Sequence, residues 1–255
     1  MKQFEAIHNT LPEDVALKIA SMLSVRDLCA LGCCSRFWRE LCGLDCIWEA
    51  LTRERWPSLA CFQFSASSSS SAPPTAPNVK EWRKLYIAKH NEVAAGAAAT
   101  AKFVEDNSSS KSLEGGDYLK AINSLNDMKF GFKDVQMYLF KPELNVIINL
   151  VGLQYCFTWL RIPGDQLKEA LQMSEIADRH VCIKWWKLGR WFYGFRMRDE
   201  SYSRWASLAD LAIDDDKRLL AVLLRGAIHE VLRVQICSED QHTTPWSAQI
   251  TQGHG

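Results

Sequence analysis

Cysteine is the most frequent reactive residue of this sequence, with nine in 255 residues. Five of the nine lie between Cys29 and Cys46, a density that suggests a zinc site. However, the sequence has no Cys-x-x-Cys pair and no histidine between His8 and His90, so this cluster matches neither a zinc finger nor a zinc ribbon. We therefore expect the cysteines to be small buried apolar residues, and we predict no metal site and no cofactor.

Signatures of catalysis are equally scarce. The sequence lacks G-x-S-x-G, H-E-x-x-H, a P-loop and a G-x-G-x-x-G that follows a strand. His180 and Cys182 would share one face of a strand, which leaves a Cys/His dyad open as an alternative to a buried structural cysteine. The acidic run 214–216 could bind a cation, but a solvated turn or helix cap is the preferred interpretation. We predict no catalytic residue and a non-enzymatic role.

Residues 179–198, RHVCIKWWKLGRWFYGFRMR, combine seven aromatic side chains, counting histidine, with six Lys or Arg and no acid. Leu188–Gly189 is predicted to be a hairpin turn, so that one apolar face enters the core while the other is cationic and aromatic. The apolar face would consist of Trp191, Tyr193, Phe195 and Met197. The mixed face could pair with an acidic or phosphorylated segment or stack bases. The alternative, which we prefer, is a purely structural role, in which the strand pair is half-buried and the aliphatic parts of the Lys and Arg side chains cover the aromatic rings. The candidate target-binding residues are Lys184, Trp186, Arg190, Arg196 and Arg198.

The composition limits the class of protein. Lys plus Arg and Asp plus Glu each number 30, so the net charge is zero, and apolar residues make up 47% of the chain. This is the composition of a globular protein without a chain-wide attraction to nucleic acid or anionic membranes, neither of which is an expected partner. The sequence shows no membrane span and no secretory signal, so we expect a location in the cytoplasm or nucleus.

Changes in composition divide the chain into four parts. The predicted parts are a helical domain (8–62), a Ser/Ala/Pro-rich linker with an amphipathic helix around 79–90 (63–117), an α+β domain (118–237) and a disordered tail (238–255). The Ala-rich residues after this helix could extend it.

Helical signals dominate the first domain. Pro12 precedes a first helix on which Val15, Ile19, Met22 and Leu23 share a face. Ser24 and Ser35 are predicted to cap the second and third helices, and a fourth runs from about Asp45 to Trp56. Four short helices form a very small core, so we expect part of this apolar surface to contact a partner.

Residues 11–57 resemble an F-box. The resemblance consists of a Leu-Pro start with an acid, an Ile and Leu one turn apart, an Asp-Leu pair, and Leu, Ser and Trp residues in the order and spacing of that family. The matching residues are Leu11, Pro12, Glu13, Ile19, Leu23, Asp27, Leu28, Leu31, Cys34, Ser35, Trp38, Leu41 and Trp48. Cys34 replaces the more usual Val. The segment with Trp82 and Tyr86 is similar to the Trp-x-x-x-Tyr helix that often follows an F-box and packs back onto it.

The resemblance implies a binding partner, because F-boxes dock onto the Skp-type adaptor of cullin–RING ubiquitin ligases. The adaptor-binding candidates that it implies are Leu11, Pro12, Ile19, Leu23, Leu28, Leu31, Trp38 and Trp48. Some of these would be contacts and others internal core. Both roles remain open for Ile19 and Trp48, whereas Leu11 and Pro12 are expected to be contacts.

The second half is predicted to be an α+β domain built on an antiparallel sheet decorated with helices. Strands are expected in DVQMYLF, LNVIINLVGL, QYCFTWLRI, VCIKWW and RWFYGFRMR, and helices in the segment after Pro163 and in RWASLADLAI. The last segment, from Asp214 to Ile236, is predicted to be two strands, with a helix as the alternative for its first half. No known repeat is present to indicate the target.

The expected function is therefore that of a substrate-recognition subunit of an SCF-type ligase, with an unknown target bound by residues 118–237. Two alternatives remain at this stage. One is an F-box interaction protein without ligase output. The other is a small-ligand or single-stranded nucleic-acid binder that uses residues 179–198.

Overall fold

The computed structural model describes residues 11–57, 82–108, 112–187, 189, 191–213, 218–224 and 231–238. The chain divides into two compact units, residues 1–92 and residues 93–255. The helices of the first unit are α1 (Glu13–Ser21), α2 (Val25–Cys34), α3 (Arg36–Leu41) and α4 (Asp45–Arg55). Helix α5 (Trp82–Asn107) begins in the first unit and ends in the second.

Serine caps begin two of the short helices, as the sequence predicts. The Ser24 hydroxyl accepts a hydrogen bond from the Asp27 backbone N–H at 3.2 Å, which begins α2. The Ser35 hydroxyl accepts one from the Trp38 N–H at 3.3 Å, which begins α3. Each hydroxyl satisfies a backbone donor that has no partner within its helix.

The first turns of α5 pack against α4. The Tyr86 ring lies 5.3 Å from the Trp48 ring and 5.1 Å from the Trp56 ring, and its hydroxyl accepts a hydrogen bond from Arg55 Nη1 at 2.7 Å. The Trp82 backbone N–H donates to Asp45 Oδ1. These contacts confirm the Trp-x-x-x-Tyr helix that the sequence predicts to pack back onto the first four helices.

The second unit is built on a four-stranded antiparallel sheet with the order β1-β6-β2-β5. Its strands are β1 (Ser112–Glu114), β2 (His180–Lys187), β5 (Glu200–Ser207) and β6 (Val231–Ser238). Leu113, Ile236 and Ile183 are neighbours across three strands and are fully buried. Helices α6 (Gly115–Asp127) and α8 (Val146–Thr158) contact the sheet. A sheet with attached helices confirms the predicted α+β class.

Three segments predicted as strands are mostly helical instead. DVQMYLF lies mostly within α7 (Phe132–Tyr138), and the two segments after it lie mostly within α8. Side chains on every side of α8 are buried from Val146 to Cys156. A helix enclosed all round has no polar face, so its sequence shows no helical period and resembles a buried strand.

In the three segments that follow, the structure confirms one secondary-structure prediction and corrects two. Helix α9 (Gly164–Met173) is present where predicted. RWASLADLAI is not a single helix, because β5 continues through Ser207 before α10 (Leu208–Ile213) begins. In the last segment the helical alternative is right, since α11 (Arg218–Leu224) precedes β6. The acidic run 214–216 lies outside the described residues.

Part of the range predicted as linker, 63–117, has regular structure. Helix α5 extends the expected helix of 79–90 to Asn107, and strand β1 belongs to the sheet of the second unit. The Ser/Ala/Pro tract and most of the predicted tail, from residue 239 onwards, lie outside the described residues. The domain limits 8–62 and 118–237 stay predictions.

Candidate binding surfaces

Helix α1 and its C-cap residue Met22 carry a row of exposed apolar side chains, Val15, Ile19 and Met22, which we term the N-terminal stripe. Val15 and Ile19 are each 42% exposed and Met22 is 78% exposed. The spacing of four and three residues places the three side chains in one row along the helix. Ala16 and Ala20 are fully buried. Because alanine allows close packing, α1 packs through its smallest side chains and leaves larger ones in solvent.

The predicted adaptor-binding residues differ in exposure. Pro12 and Ile19 are exposed, whereas Leu28 and Trp48 are buried. Leu11, Leu23, Leu31 and Trp38 are half-buried. Trp48 Nε1 donates a hydrogen bond to the Cys42 carbonyl at 2.8 Å, so even its polar atom has an internal partner. Of the two roles left open for Trp48, the structure therefore shows internal packing, and for Ile19 it shows an accessible side chain.

Sequence reasoning did not propose Val15 and Met22 as contact residues. It placed them on one face with Ile19 and Leu23, and that face points outward for all but Leu23, which is half-buried. The signal was Ala16 and Ala20 at i and i+4, a pair of small residues that marks the packed side of a helix.

The cysteines near the N-terminus are not all buried, contrary to the prediction. Those exposed are Cys29, Cys33, Cys34 and Cys46, and those buried are Cys42, Cys156, Cys182 and Cys237. For the three cysteines of α2 the cause is local, because Leu28 is the one fully buried side chain of this helix. Cys61 lies outside the described residues. Within the described ranges no group of three or more His, Cys, Asp or Glu is arranged to hold a metal ion.

The second surface is a hairpin that extends β2 and β5. Lys187 pairs with Glu200 at the end of these strands, and β3 (Trp191–Phe192) then pairs with β4 (Phe195–Arg196). The pairing of β6 with β2 ends at Lys187. We term residues 189–199 the hairpin arm, and in the described part of the chain no third strand pairs with it.

Gly189 fixes the start of the arm. Its backbone N–H donates a hydrogen bond to Asp199 Oδ1 at 2.8 Å. A Cβ atom at this position would lie 1.9 Å from the Met197 carbonyl oxygen, so no other residue fits without a shift of the backbone.

The arm turns at Tyr193–Gly194, where φ is 47° and 84° respectively. Positive φ at both central residues is the geometry of a type I′ hairpin turn. This corrects the predicted turn at Leu188–Gly189, of which Leu188 lies outside the described residues. Moving the turn makes Phe192 and Phe195 direct cross-strand neighbours.

The predicted core face of this hairpin is wrong. Tyr193, Phe195 and Met197 of that face are between 58% and 89% exposed. Phe192, which the sequence predicts on the opposite face, is exposed as well, and we term these four residues the aromatic tip. The side chain of Trp191, the other member of the predicted face, lies outside the described part. The prediction failed because alternation along a strand does not reveal whether a second layer covers the strand.

Lys184 and Trp186 lie on the same face of β2, as predicted. Lys184 is half-buried between Ser203 and Gln235 of the flanking strands, and the described residues include no hydrogen-bond or ion-pair partner for its ammonium group. The Arg233 guanidinium lies 5.2 Å from the centre of the Trp186 ring. Arg233 also forms an ion pair with Glu114, which raises the pKa of Arg233.

The other target-binding candidates are not placed beside Lys184. Arg198 is exposed in the hairpin arm. Arg190 and the side chain of Arg196 lie outside the described residues. Arg179 has a structural role, because its guanidinium donates to the Leu144 carbonyl and to Asn149 Oδ1.

The thiol of the suggested Cys/His dyad is buried. Cys182 lies opposite Cys237 on the adjacent strand, and both are buried. Burial raises the pKa of both thiols, while the Lys184 charge acts in the opposite direction. A raised pKa keeps Cys182 protonated at neutral pH, which is unfavourable for a nucleophile.

Comparison with models of known families matches residues 8–54 to the F-box-like family. No curated protein and no solved structure matches the chain. None of the helices in the described ranges is both long and apolar enough to cross a bilayer. The chain therefore carries an F-box-like domain at its N-terminal end, followed by helices and an antiparallel sheet.

Proposed function

We propose that this protein is a substrate-recognition subunit of an SCF-type cullin–RING ubiquitin ligase. Its F-box-like domain binds a Skp-type adaptor, and residues 118–237 bind a target protein. The subunit needs no nucleophile of its own in this role. It accelerates ubiquitin transfer by holding the target's lysine near the conjugating enzyme, which raises the effective concentration of the two reactants.

The observation that carries the proposal is the N-terminal stripe. It lies on the first helix of the F-box-like match, and its three apolar side chains remain in solvent. A row of exposed aliphatic residues on a small helical unit is characteristic of a surface that a partner helix covers.

The proposed adaptor contacts are the accessible members of the predicted set together with the stripe. Leu11, Pro12 and Ile19 join Val15 and Met22 as direct contacts. The half-buried Leu23, Leu31 and Trp38 contribute their exposed edges. Leu28 and Trp48 act indirectly, because they are the buried side chains that hold the helices together.

The target surface is proposed in the second unit. Lys184, Trp186 and Arg198 supply cationic and aromatic groups of the kind that are enriched in protein interfaces. Arg190 and Arg196 belong to the same proposal on the basis of the sequence. An acidic or phosphorylated segment is the matching partner, because the Lys184 ammonium, which has no ion-pair partner among the described residues, gains a counter-charge on binding.

The test is co-expression of the full chain with a Skp-type adaptor, followed by measurement of their affinity. The double variant Val15→Ser/Ile19→Ser should weaken association by about 10-fold or more, since it removes two aliphatic side chains that the adaptor would bury in the complex. Leu11→Ala/Pro12→Ala should weaken it as well. Ile87→Ser is the matched control, because Ile87 is similarly exposed on α5.

Two outcomes would refute the proposal. If the wild type does not bind the adaptor, the stripe has another partner. If it binds the adaptor but the assembled complex recruits no cullin and shortens no target's lifetime, the chain is an F-box interaction protein without ligase output.

A further inference from the structure

We propose that the aromatic tip is the element that enters the target, and that the target is a folded protein with an apolar pocket rimmed by acidic side chains. This inference rests on the proposed function and specifies the chemistry of the target.

The protruding shape of the tip is complementary to a concave surface on the partner. Phe192, Tyr193, Phe195 and Met197 surround a two-residue turn at the end of the hairpin arm, and Tyr193 is 89% exposed. The Phe192 and Tyr193 rings form an edge-to-face pair with centroids 4.5 Å apart. Clustered aromatic anchors contribute most to binding when they fill a pocket that excludes water.

The charges beside the tip call for acids on the partner. Residues 179–198 contain no acid, Lys187 precedes the arm, and Arg198 lies within it. Asp199 and Glu200 follow this stretch, so that residues 184–200 hold five Lys or Arg and two acids, a net charge of +3. Asp199 accepts the Gly189 N–H, and Glu200 accepts the Tyr202 hydroxyl, a bond that raises the pKa of Tyr202. A net positive charge around an apolar centre complements a pocket with a negative rim.

Aromatic contacts lie at the base of the arm and favour one arrangement of its strands. The Trp185 and Tyr202 rings stack with centroids 5.4 Å apart, and Lys187 Nζ lies 5.4 Å from the centre of the Tyr202 ring. Tyr193 holds a left-handed conformation that bulky side chains seldom adopt, and such strain is concentrated at binding sites. A rigid tip loses less conformational entropy on binding than a flexible loop.

The test uses the full chain in complex with the Skp-type adaptor, with Phe195 replaced by the photoreactive p-benzoylphenylalanine. A second protein carries the same group at Met173, an exposed residue of α9. Proteins cross-linked from position 195 but not from 173 are identified, purified and titrated with the complex. The cross-linked peptides should be apolar with Asp or Glu nearby.

Titration of the cross-linked protein with variants of the complex then identifies the residues that contribute to the affinity. The variant Phe192→Ser/Tyr193→Ser/Phe195→Ser should weaken binding by about 30-fold or more, the scale of interface hot spots. Arg198→Glu should weaken it several-fold, and more at low salt. Met173→Ser should leave the affinity unchanged.

Three results would overturn the inference. The first is equal cross-linking from positions 195 and 173. The second is a cross-linked protein that binds the triple-serine variant as well as it binds the wild type. The third is binding of the wild-type complex to vesicles of phosphatidylcholine with 30% phosphatidylserine that the same variant abolishes, since the tip would then be a membrane anchor. In each case an intact complex with the adaptor shows that the proposed function survives, whereas failure of the wild type to bind the adaptor counts against the proposed function itself.

Discussion

The two exposed apolar surfaces of this protein are built in opposite ways. The N-terminal stripe lies on a regular helix whose buried alanines allow close packing, so its exposure is a consequence of helix–helix contact. The aromatic tip lies on a type I′ turn with a tyrosine at positive φ, and a glycine at the base of the arm permits the approach of its two strands. The stripe requires no unusual conformation, whereas the tip depends on two special backbone positions.

This difference indicates how each surface responds to mutation. A helical stripe loses binding without losing its conformation, because each side chain projects from a backbone that does not depend on it. In a strained tip, conformation and binding depend on the same residues. A substitution that relieves the backbone strain should therefore raise the stability of the fold and weaken binding.

The largest expected effect comes from the core beneath the stripe. Trp48→Ala should lower the free energy of unfolding of the first unit by about 3–5 kcal/mol, because it leaves a cavity and removes the hydrogen bond to the Cys42 carbonyl. Hydrogen exchange over residues 11–57 of the full chain measures this loss. Adaptor binding should fall with it.

Ile19→Ala is the matched comparison for that prediction. It should weaken adaptor binding while changing the free energy of unfolding by less than about 0.5 kcal/mol, as is usual for surface positions. If Trp48→Ala left exchange over residues 11–57 unchanged, Trp48 would not be part of the core, and the distinction between core and stripe would fail.

An intermediate effect is expected at the base of the arm. Gly189→Ala places a Cβ atom 1.9 Å from the Met197 carbonyl, so the strands of the arm must separate. We expect a loss of about 1–3 kcal/mol, measured by thermal unfolding of the full chain, together with faster exchange across residues 191–197.

Gly116→Ala is the control for this change, because a Cβ atom there meets nothing within 4 Å and the residue lies in helix α6. Alanine should stabilise that helix by about 0.5–1 kcal/mol. Equal effects of the two substitutions would mean that Gly189 does not hold the arm.

The sequence predicts the first unit far better than the second. The serine caps, the four helices and the return of Tyr86 follow from local capping rules, helical spacing and the F-box resemblance. Helix α8 and the aromatic tip mark the limit of such reasoning, because both depend on what surrounds them. Full enclosure removes the helical period of α8, whereas the aromatic residues of the tip are exposed because no second layer among the described residues covers them.

The candidate sites divide in the same way. Ile19 is accessible as a contact requires, and Lys184 and Trp186 lie on the same face of β2 as predicted. The position of the turn was not predictable, since Tyr193 is an unfavoured residue at positive φ whereas Leu188–Gly189 offered an ordinary glycine signal.

The smallest expected effect tests the strain of the tip directly. Tyr193→Asn gives the turn the sequence Asn-Gly, which is the preferred pair for type I′ geometry, so the free energy of unfolding should rise by about 0.5–1 kcal/mol. Chemical denaturation of the full chain measures this gain, and Tyr202→Asn, on a β5 side chain that is 39% exposed, should produce no such gain. The same Tyr193→Asn protein should bind its target more weakly, because it loses the most exposed ring of the tip. If the variant is more stable and binds its target at least as tightly, Tyr193 contributes neither to the stability of the fold nor to target binding. Greater stability with weaker binding would instead show that the strained tyrosine is retained for recognition at the expense of the fold.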